Sequence, residues 1–441
     1  MLSMLLQLGV MVAAIALGSR QGGVGMGLWG AVGVFVLATV FGVRPADTGG
    51  IVDVMLIILA VIMAAAAMEA AGGVAYLVGL AERAIRRDPR RVTLIAPLVS
   101  WAFTLGAGTA HVFYPLLPVI HDVAREGGVR PERPIAVSSV AATVGITASP
   151  VSAAMAAMIV MFDGDGWSLS RIMAVAVPST LLGVLAAVVV QSRIGKELAD
   201  DPEYRRRLAA GEIEPVGAGR SGGPVADAPP PRARWAALLF LGGTAAVVVS
   251  GLCPGLRPDT GKGPLAMPAT IEILMMAVAA LILLVCKVDA KRIPGTDVAR
   301  SGLVAVIGVF GLSWLGLSFI GANQARITGA LGGIAQGHPW FFAVMLLLLS
   351  ALLFSQATTT KALMPLGLAL GIPVPLLIAM WPAVNGYFLL PTYGTFIAAI
   401  NFDRTGTTRV GRFVVNHSFM IPGLVTTGVA VASGMLLTKI L

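Results

Sequence analysis

Gly106 to Pro115 reads GAGTAHVFYP, and Gln356 to Pro365 reads QATTTKALMP. Laid over each other without a gap, the two stretches match Ala107 with Ala357, Thr109 with Thr359, His111 with Lys361 and Pro115 with Pro365. Each lies in the middle of a long apolar region. Small and hydroxyl residues interrupt the run there, and a cationic or titratable side chain follows at the same place. An interrupted apolar segment repeated at corresponding positions of two halves is the pattern of a membrane binding site built from broken or re-entrant elements. The two stretches are therefore expected to be the tips of two re-entrant hairpins facing one ligand.

Composition sets the class around them. Hydrophobic residues make up 57% of the chain and charged residues 12%, against about 25% charged in soluble proteins. Apolar runs of about 20 residues recur from end to end, which predicts an all-α polytopic membrane protein. The short alternating strands of a membrane β-barrel are not visible. The net charge of +9 reflects Lys and Arg placed in loops, where they fix topology, rather than a nucleic-acid surface. Cys253 and Cys286 fall near opposite ends of two successive predicted spans, so two free thiols are expected. The first apolar run, 2–17, lacks a basic leader and a convincing cleavage site and is read as a span. No HExxH, no GxSxG and no paired aspartates within spans are present, so neither an enzyme nor a cofactor or metal site is expected.

In chain order, spans are predicted at 2–18, 24–42 and 52–71, followed after Gly72-Gly73 by an amphipathic surface helix at 74–88. The first hairpin covers about 92–124, with arms at 92–105 and 109–124. A broken helix at about 134–162 is interrupted at Ala148-Ser149-Pro150, where Pro150 cannot donate a backbone hydrogen bond. A span at 170–192 closes the first unit, 1–192. Residues 193–234, rich in Pro, Gly and charge, have no core-forming pattern and read as a flexible cytoplasmic linker. The second unit, 235–441, repeats the plan: spans at 235–252, 268–286 and 299–320, an amphipathic piece at 322–336, and a hairpin at about 340–371 with arms at 340–354 and 358–371. A broken helix at about 375–400, interrupted at Leu390-Pro391, and a last span at 411–438 complete it. In both broken helices a Gly precedes the Pro by five residues, Gly145 and Pro150, Gly386 and Pro391.

Charge tests this plan. If each hairpin enters and leaves on one side, each unit crosses five times and the second is inverted relative to the first. With the N-terminus outside, cytoplasmic segments hold 24 of the 31 basic residues and outer segments six, leaving Lys361 alone inside the membrane. The positive-inside rule thus places both termini in the periplasm.

The start of each hairpin's second arm exposes backbone N–H groups and the positive end of a helix dipole, which suit a carboxylate. Gly106, Ala107, Gly108 and Ala357 allow close backbone approach, and Thr109, Thr358, Thr359 and Thr360 add hydroxyls, with Gln356 beside them. The broken helices contribute Thr147, Ser149 and Ser152 beside Pro150, and Asn385, Thr392 and Tyr393 beside Pro391. Two such cradles imply a ligand with two anionic ends. Lys361 is costly in a membrane and reads as functional, the alternative being that it snorkels to the outer surface or pairs structurally; His111 reads as a carboxylate donor or proton carrier, or as a hydrogen-bonded core histidine. Glu69, Asp403 and His417 read as structural: an interfacial pairing, a turn cap and a span residue. Two offset hairpins with broken helices suit alternating access better than a continuous pore.

Five motifs carry a family resemblance: RPERPIAVSS (130–139), ITASPVSAA (146–154), SQATTTKALMP (355–365), LLPTY (389–393) and FDRTGTTRVGRFVVNHSF (402–419). Together they resemble the anaerobic four-carbon-dicarboxylate transporter family, Dcu, over nearly the whole chain except the linker. The resemblance is to the branch with a lysine in the second tip, which handles aspartate and fumarate. It implies exchange or uptake of fumarate, malate, succinate and aspartate across a bacterial inner membrane, and a homodimeric scaffold with a moving transport domain, an elevator. A sodium- or proton-coupled symporter of the same fold is the alternative. The first tip departs from the family pattern, with Ala110 between Thr109 and His111 where Gly is usual and Pro115 where Thr is common.

Overall fold

The apolar runs fold as helices because a chain segment in lipid must satisfy its own backbone polar groups. The structure, a computed structural model, describes residues 2–21, 24–162, 166–213, 230–259, 261, 263–353, 355–390, 393–411 and 416–440. Among them there is no β-strand, only isolated bridges at Asp259 with Pro264 and at Val410 with His417. Among the described residues, seven helical segments are long and apolar enough to cross a membrane, and four shorter apolar helices accompany them. Cys253 and Cys286 are free thiols.

The first stretch runs α1 (Leu2–Gln21), α2 (Gly25–Phe41) and α3 (Gly49–Ala70). Gly72, left-handed at φ 80°, turns the chain into α4 (Gly73–Arg86), which buries Gly73, Leu77, Ala81 and Ile85 along one face and carries Arg83 and Arg86 in its last turn. Next come α5 (Val92–Ala107), α6 (Leu116–Glu126), α7 (Glu132–Ala148), α8 (Ala153–Phe162) and α9 (Leu169–Gln191), then the short α10 (Pro202–Ala209). The later part comprises α11 (Ala233–Leu252), α12 (Met267–Cys286), α13 (Asp297–Gly337), α14 (Trp340–Leu353), α15 (Gln356–Ala369), α16 (Val374–Met380), α17 (Gly394–Phe402) and α18 (Met420–Leu437).

The packing is reciprocal. α1 pairs with α2 and α11 with α12, while α2 lies on α13 and α12 lies on α3. α5 packs along α7, α14 packs along the 3-10 segment Trp381–Phe388, and α9 lies along α18. α7 and the 381–388 segment are almost wholly buried. Large apolar side chains on α2, α11 and α12, among them Phe35, Val40, Leu252 and Leu284, are exposed, as expected where lipid is the solvent. Glu69, at the end of α3, accepts from the N–H of Val298 at 2.9 Å. It thereby caps the first turn of α13, a structural pairing of the kind expected.

Several boundaries differ from the sequence reading, each for a local reason. The second arm of the first hairpin starts at Leu116, not 109, because a 3-10 turn (Ala110–Phe113) intervenes and Pro115 takes the N-cap position. The predicted span 299–320 and amphipathic piece 322–336 form one continuous helix, α13. Asn323 does not break it, since its Nδ2 donates one turn back to the Phe319 carbonyl at 3.0 Å and across to Gln7 Oε1 of α1 at 2.6 Å. The last span begins at Met420 rather than 411. Before it, Ser418 N–H bonds the Arg409 carbonyl at 3.1 Å and Ser418 Oγ accepts from Arg409 N–H at 3.0 Å. That antiparallel pairing withholds these backbone groups from a helix. His417 therefore lies in a loop, where its Nδ1 accepts from the Phe419 N–H at 3.2 Å.

The linker divides. Residues 193–213 are folded: Asp201 caps α10 through the N–H groups of Glu203 and Tyr204, Leu198 and Tyr204 are buried, and Arg130 meets Asp201 at 2.7 Å while Arg133 meets Glu197 at 3.0 Å. Oppositely charged groups brought from the start of α7 supply the anchoring that apolar patterning lacks. Residues 214–229 lie outside the described residues.

Candidate functional site

At the first tip, α5 ends at Gly108, left-handed at φ 73°, whose N–H returns to the Thr104 carbonyl at 2.8 Å. A Cβ there would stand 2.8 Å from the Val151 carbonyl oxygen, so only glycine lets the tip come this close. Val151 belongs to the break between α7 and α8. Ser149, immediately before Pro150, is extended at φ −79°, ψ 128°, as the proline ring requires of its predecessor. Ser149 Oγ accepts from the Val151 N–H at 3.3 Å, and Ser152 Oγ accepts from the Met155 N–H at 3.0 Å, capping α8. Both serines are fully buried. Thr109 is half-buried beside the tip. His111 has its backbone in the 3-10 turn, while its side chain lies outside the described residues.

The second tip is built differently. Ser355 caps α15: its Oγ accepts from the Thr358 N–H at 3.2 Å and from the Thr358 hydroxyl at 2.8 Å, and its carbonyl accepts from the Thr359 hydroxyl at 2.7 Å. The remaining first-turn N–H groups face off the helix end, where partial positive charge collects. Gln356 Nε2 donates to the Thr143 carbonyl of α7 at 2.7 Å and also to Asn385 Oδ1. Asn385 Nδ2 donates to the Pro382 carbonyl at 2.9 Å, and Trp381 Nε1 donates to Thr360 Oγ1 at 2.9 Å. Thr358, Thr359, Thr360 and Lys361 are all buried.

The second break is longer and earlier than expected. α16 ends at Met380, and a 3-10 segment, Trp381–Phe388, follows with Asn385 non-helical at φ −99°, ψ 27°. Pro382 explains the early end, because inside an α-helix it would lose a hydrogen bond and clash with the preceding turn. Pro391 and Thr392 lie outside the described residues. Tyr393 stacks on Tyr387, with ring centroids 4.8 Å apart, and sits in an aromatic cluster with Phe396.

Gly145 and Gly386, matched by their spacing to the prolines, have the same packing role. A Cβ on Gly145 would stand 2.9 Å from the Trp101 carbonyl oxygen of α5, and one on Gly386 would stand 1.9 Å from the Leu347 carbonyl oxygen of α14. Gly145 is thus where α7 crosses α5, and Gly386 is where the 381–388 segment crosses α14. The Gly386 N–H also donates to Ser350 Oγ at 2.8 Å.

The geometry thus brings Gly108 to the first break and Gln356 to both broken spans, with Ser149, Ser152, Thr358, Thr359, Thr360, Lys361 and Asn385 buried around them. Ser355, Trp381 and Tyr114 escaped the sequence reading. Ser355 had a signal, since Ser before a Thr-rich helix start is a cap pattern. Tyr114, whose hydroxyl oxygen would lie 2.6 Å from a Cβ on Gly394 at the start of α17, had none, because its neighbour is 280 residues distant in sequence.

Buried hydroxyl, amide and cationic groups gathered at two helix breaks inside an apolar helical frame define a polytopic membrane protein with an internal polar site. Its helical course matches that of the Alcanivorax borkumensis YdaH transporter, with a TM-score of 0.53 over 99% of this chain and 98% of that one, at 17% identity, a likeness of fold. The chain belongs to the anaerobic C4-dicarboxylate membrane transporter family DcuA/DcuB, whose model matches residues 3–441. It is 41% identical to the C4-dicarboxylate transporter DcuA of Escherichia coli K12, covering 98% of this chain and 99% of that one. It is 39% identical to the anaerobic C4-dicarboxylate transporter DcuB of Escherichia coli O157:H7, covering 97% of each. DcuA of Wolinella succinogenes is 39% identical over 98% of each chain. The family is one of membrane transporters, not enzymes.

Proposed function

We propose that the protein carries four-carbon dicarboxylates, among them fumarate, malate, succinate and aspartate, across a bacterial inner membrane, by exchange. The observation that carries this reading is the Ser355-capped start of α15, with buried Thr358–Lys361, braced through Gln356 against both broken spans. Kinship over nearly the full chain with transporters named for C4-dicarboxylates supports the substrate class. One carboxylate lies at the tip around Gly108 and Thr109, beside Ser149, Pro150 and Ser152. The other lies at the α15 N-terminus with Lys361, beside Asn385, Pro391, Thr392 and Tyr393; His111 and Thr360 complete the set.

The reciprocal packing of α2 on α13 and α12 on α3 supports two inverted units, 1–192 and 235–441, and an elevator motion of the hairpins and broken helices within a homodimer. The excess of basic residues in the inner segments supports both termini in the periplasm and the linker in the cytoplasm.

The test is labelled-fumarate uptake in proteoliposomes. Internal succinate, malate or aspartate should accelerate uptake without an ion gradient, and lactate should compete poorly, because it leaves one cradle's donors unpaired. Uptake that needs a sodium or proton gradient and ignores internal dicarboxylate would replace exchange by symport. Lactate competing as well as succinate would remove the two-cradle site.

A further inference from the structure

Away from the hairpins, α10 and the loop 403–411 enclose a cleft of about 680 Å³, within the roughly 300–1,000 Å³ range of small-ligand pockets. Its walls carry three guanidinium groups, Arg207, Arg404 and Arg409, with Asn401 and Thr408 between them and Glu212 on the side of α10. Arg207 is already engaged, with Nε 2.8 Å from Glu203 and Nη1 donating to the Arg404 carbonyl at 3.0 Å. Glu212 is engaged by Arg206 at 3.0 Å. Arg404 and Arg409 are exposed and have no carboxylate within 4.0 Å among the described residues. Asp403, below them, accepts from the N–H groups of Thr405 at 2.9 Å and Thr408 at 2.6 Å and from the Thr407 hydroxyl at 2.8 Å. Its oxygens are committed to the loop, with His121 Nδ1 of α6 3.6 Å from Oδ1, and not to the two arginines.

In the wall of the cleft, one buried side-chain polar atom is without a partner among the described residues. Thr408 is 2% exposed, and its hydroxyl has no hydrogen-bond partner. A buried hydroxyl without a partner is costly in a native structure and calls for an explanation. Unpaired guanidinium forks match the oxygens of a carboxylate or phosphate group. We propose that this cleft is a second binding site, for a compact oxyanion held by Arg404 and Arg409, with the Thr408 hydroxyl donating to it. Free phosphate, a free dicarboxylate and an anionic lipid headgroup share this chemistry. The apolar side chains of Phe402 and Val410 are exposed beside the cleft, which suits the last.

The test uses the full chain in nanodiscs, with Cys253→Ser and Cys286→Ser, and an environment-sensitive fluorophore on Asn401→Cys. A reporter there reads this cleft and not the hairpin tips. In neutral-lipid discs, a saturable response to inorganic phosphate or succinate is expected. A constitutive shift confined to discs containing anionic phospholipid assigns the headgroup as the source. Arg404→Gln with Arg409→Gln should weaken the response at least about tenfold, and the isosteric Thr408→Val should weaken it by a smaller factor, with fumarate uptake retained in both. No response to any probe, or an undiminished response in the double-arginine variant and in Thr408→Val, would overturn the proposal.

Discussion

At the first tip the chain leaves α5 through a left-handed Gly108 and a 3-10 turn, and α6 begins only at Leu116; at the second, Ser355 caps the turn and α15 begins at once at Gln356. The sequences align without a gap, yet the backbones differ. The first tip is a close backbone contact, glycine against the Val151 carbonyl. The second is a capped helix end whose dipole and N–H groups face the site, with Lys361 buried in its second turn. Pseudo-equivalent position therefore does not give equivalent chemistry. On the proposed function, electrostatic attraction for an anion concentrates at the second tip, while the first supplies shape.

The largest expected effect tests the crossings that hold both tips in place. Gly386→Ala puts a methyl 1.9 Å from the Leu347 carbonyl oxygen, and backbone cannot swing aside. Overpacking of this kind typically costs about 1–3 kcal/mol and occasionally more, so loss of transport and a clear fall in melting temperature are expected. Gly145→Ala, at 2.9 Å from the Trp101 carbonyl, should lose less on both readouts. Equal losses would mean that the two crossings are equally tight.

Next in size is the difference in charge. Lys361→Ala should weaken fumarate binding about ten- to hundredfold, the worth of a charge-assisted hydrogen bond of about 1.5–3 kcal/mol, with insertion unaffected. Gly108→Ala, forced to φ 73° at a cost of about 1–2 kcal/mol, should lower stability and uptake while altering the charge selectivity little. Competition by lactate, measured in both variants, separates the two: Lys361→Ala should narrow the preference for dicarboxylates, and Gly108→Ala should leave it. The reverse pattern would assign the electrostatic work to the first tip.

Much of this arrangement was legible in the sequence because it rests on local rules. Pro150 forces Ser149 extended, and Gly72-Gly73 ends α3. What was misread depends on partners distant in sequence. The amphipathic pattern at 322–336 reads as a piece separate from the span before it, but the two form one helix, with Asn323 donating across to Gln7 of α1. The apolar run after Gly411 looked like the start of a span, but Arg409 pairs with Ser418 and delays it. The second break extends further than Leu390-Pro391 signals: the helix already ends at Met380, and Pro382 and Asn385-Gly386 carry that earlier signal. The folded start of the linker was hidden because its fixings are ion pairs to Arg130 and Arg133, not an apolar pattern.

The smallest expected effect is also the sharpest test of the second tip. Ser355→Ala removes the cap acceptor for the Thr358 N–H and hydroxyl and should cost about 1 kcal/mol of stability, within the usual range of about 0.5–2. Ser355→Asp supplies a better acceptor and, by capping alone, should restore the melting temperature. It also places a fixed negative charge at the helix end proposed to hold a carboxylate. If a substrate carboxylate sits there, the aspartate variant should be stable but bind fumarate more weakly than the alanine variant, because two like charges would compete for the same N–H groups. The measurement is a pair of properties for each variant, melting temperature and fumarate affinity, and the prediction is that they move in opposite directions between Ala and Asp. If both improve together in the aspartate variant, the α15 N-terminus is a structural cap only, and the anion must be bound elsewhere.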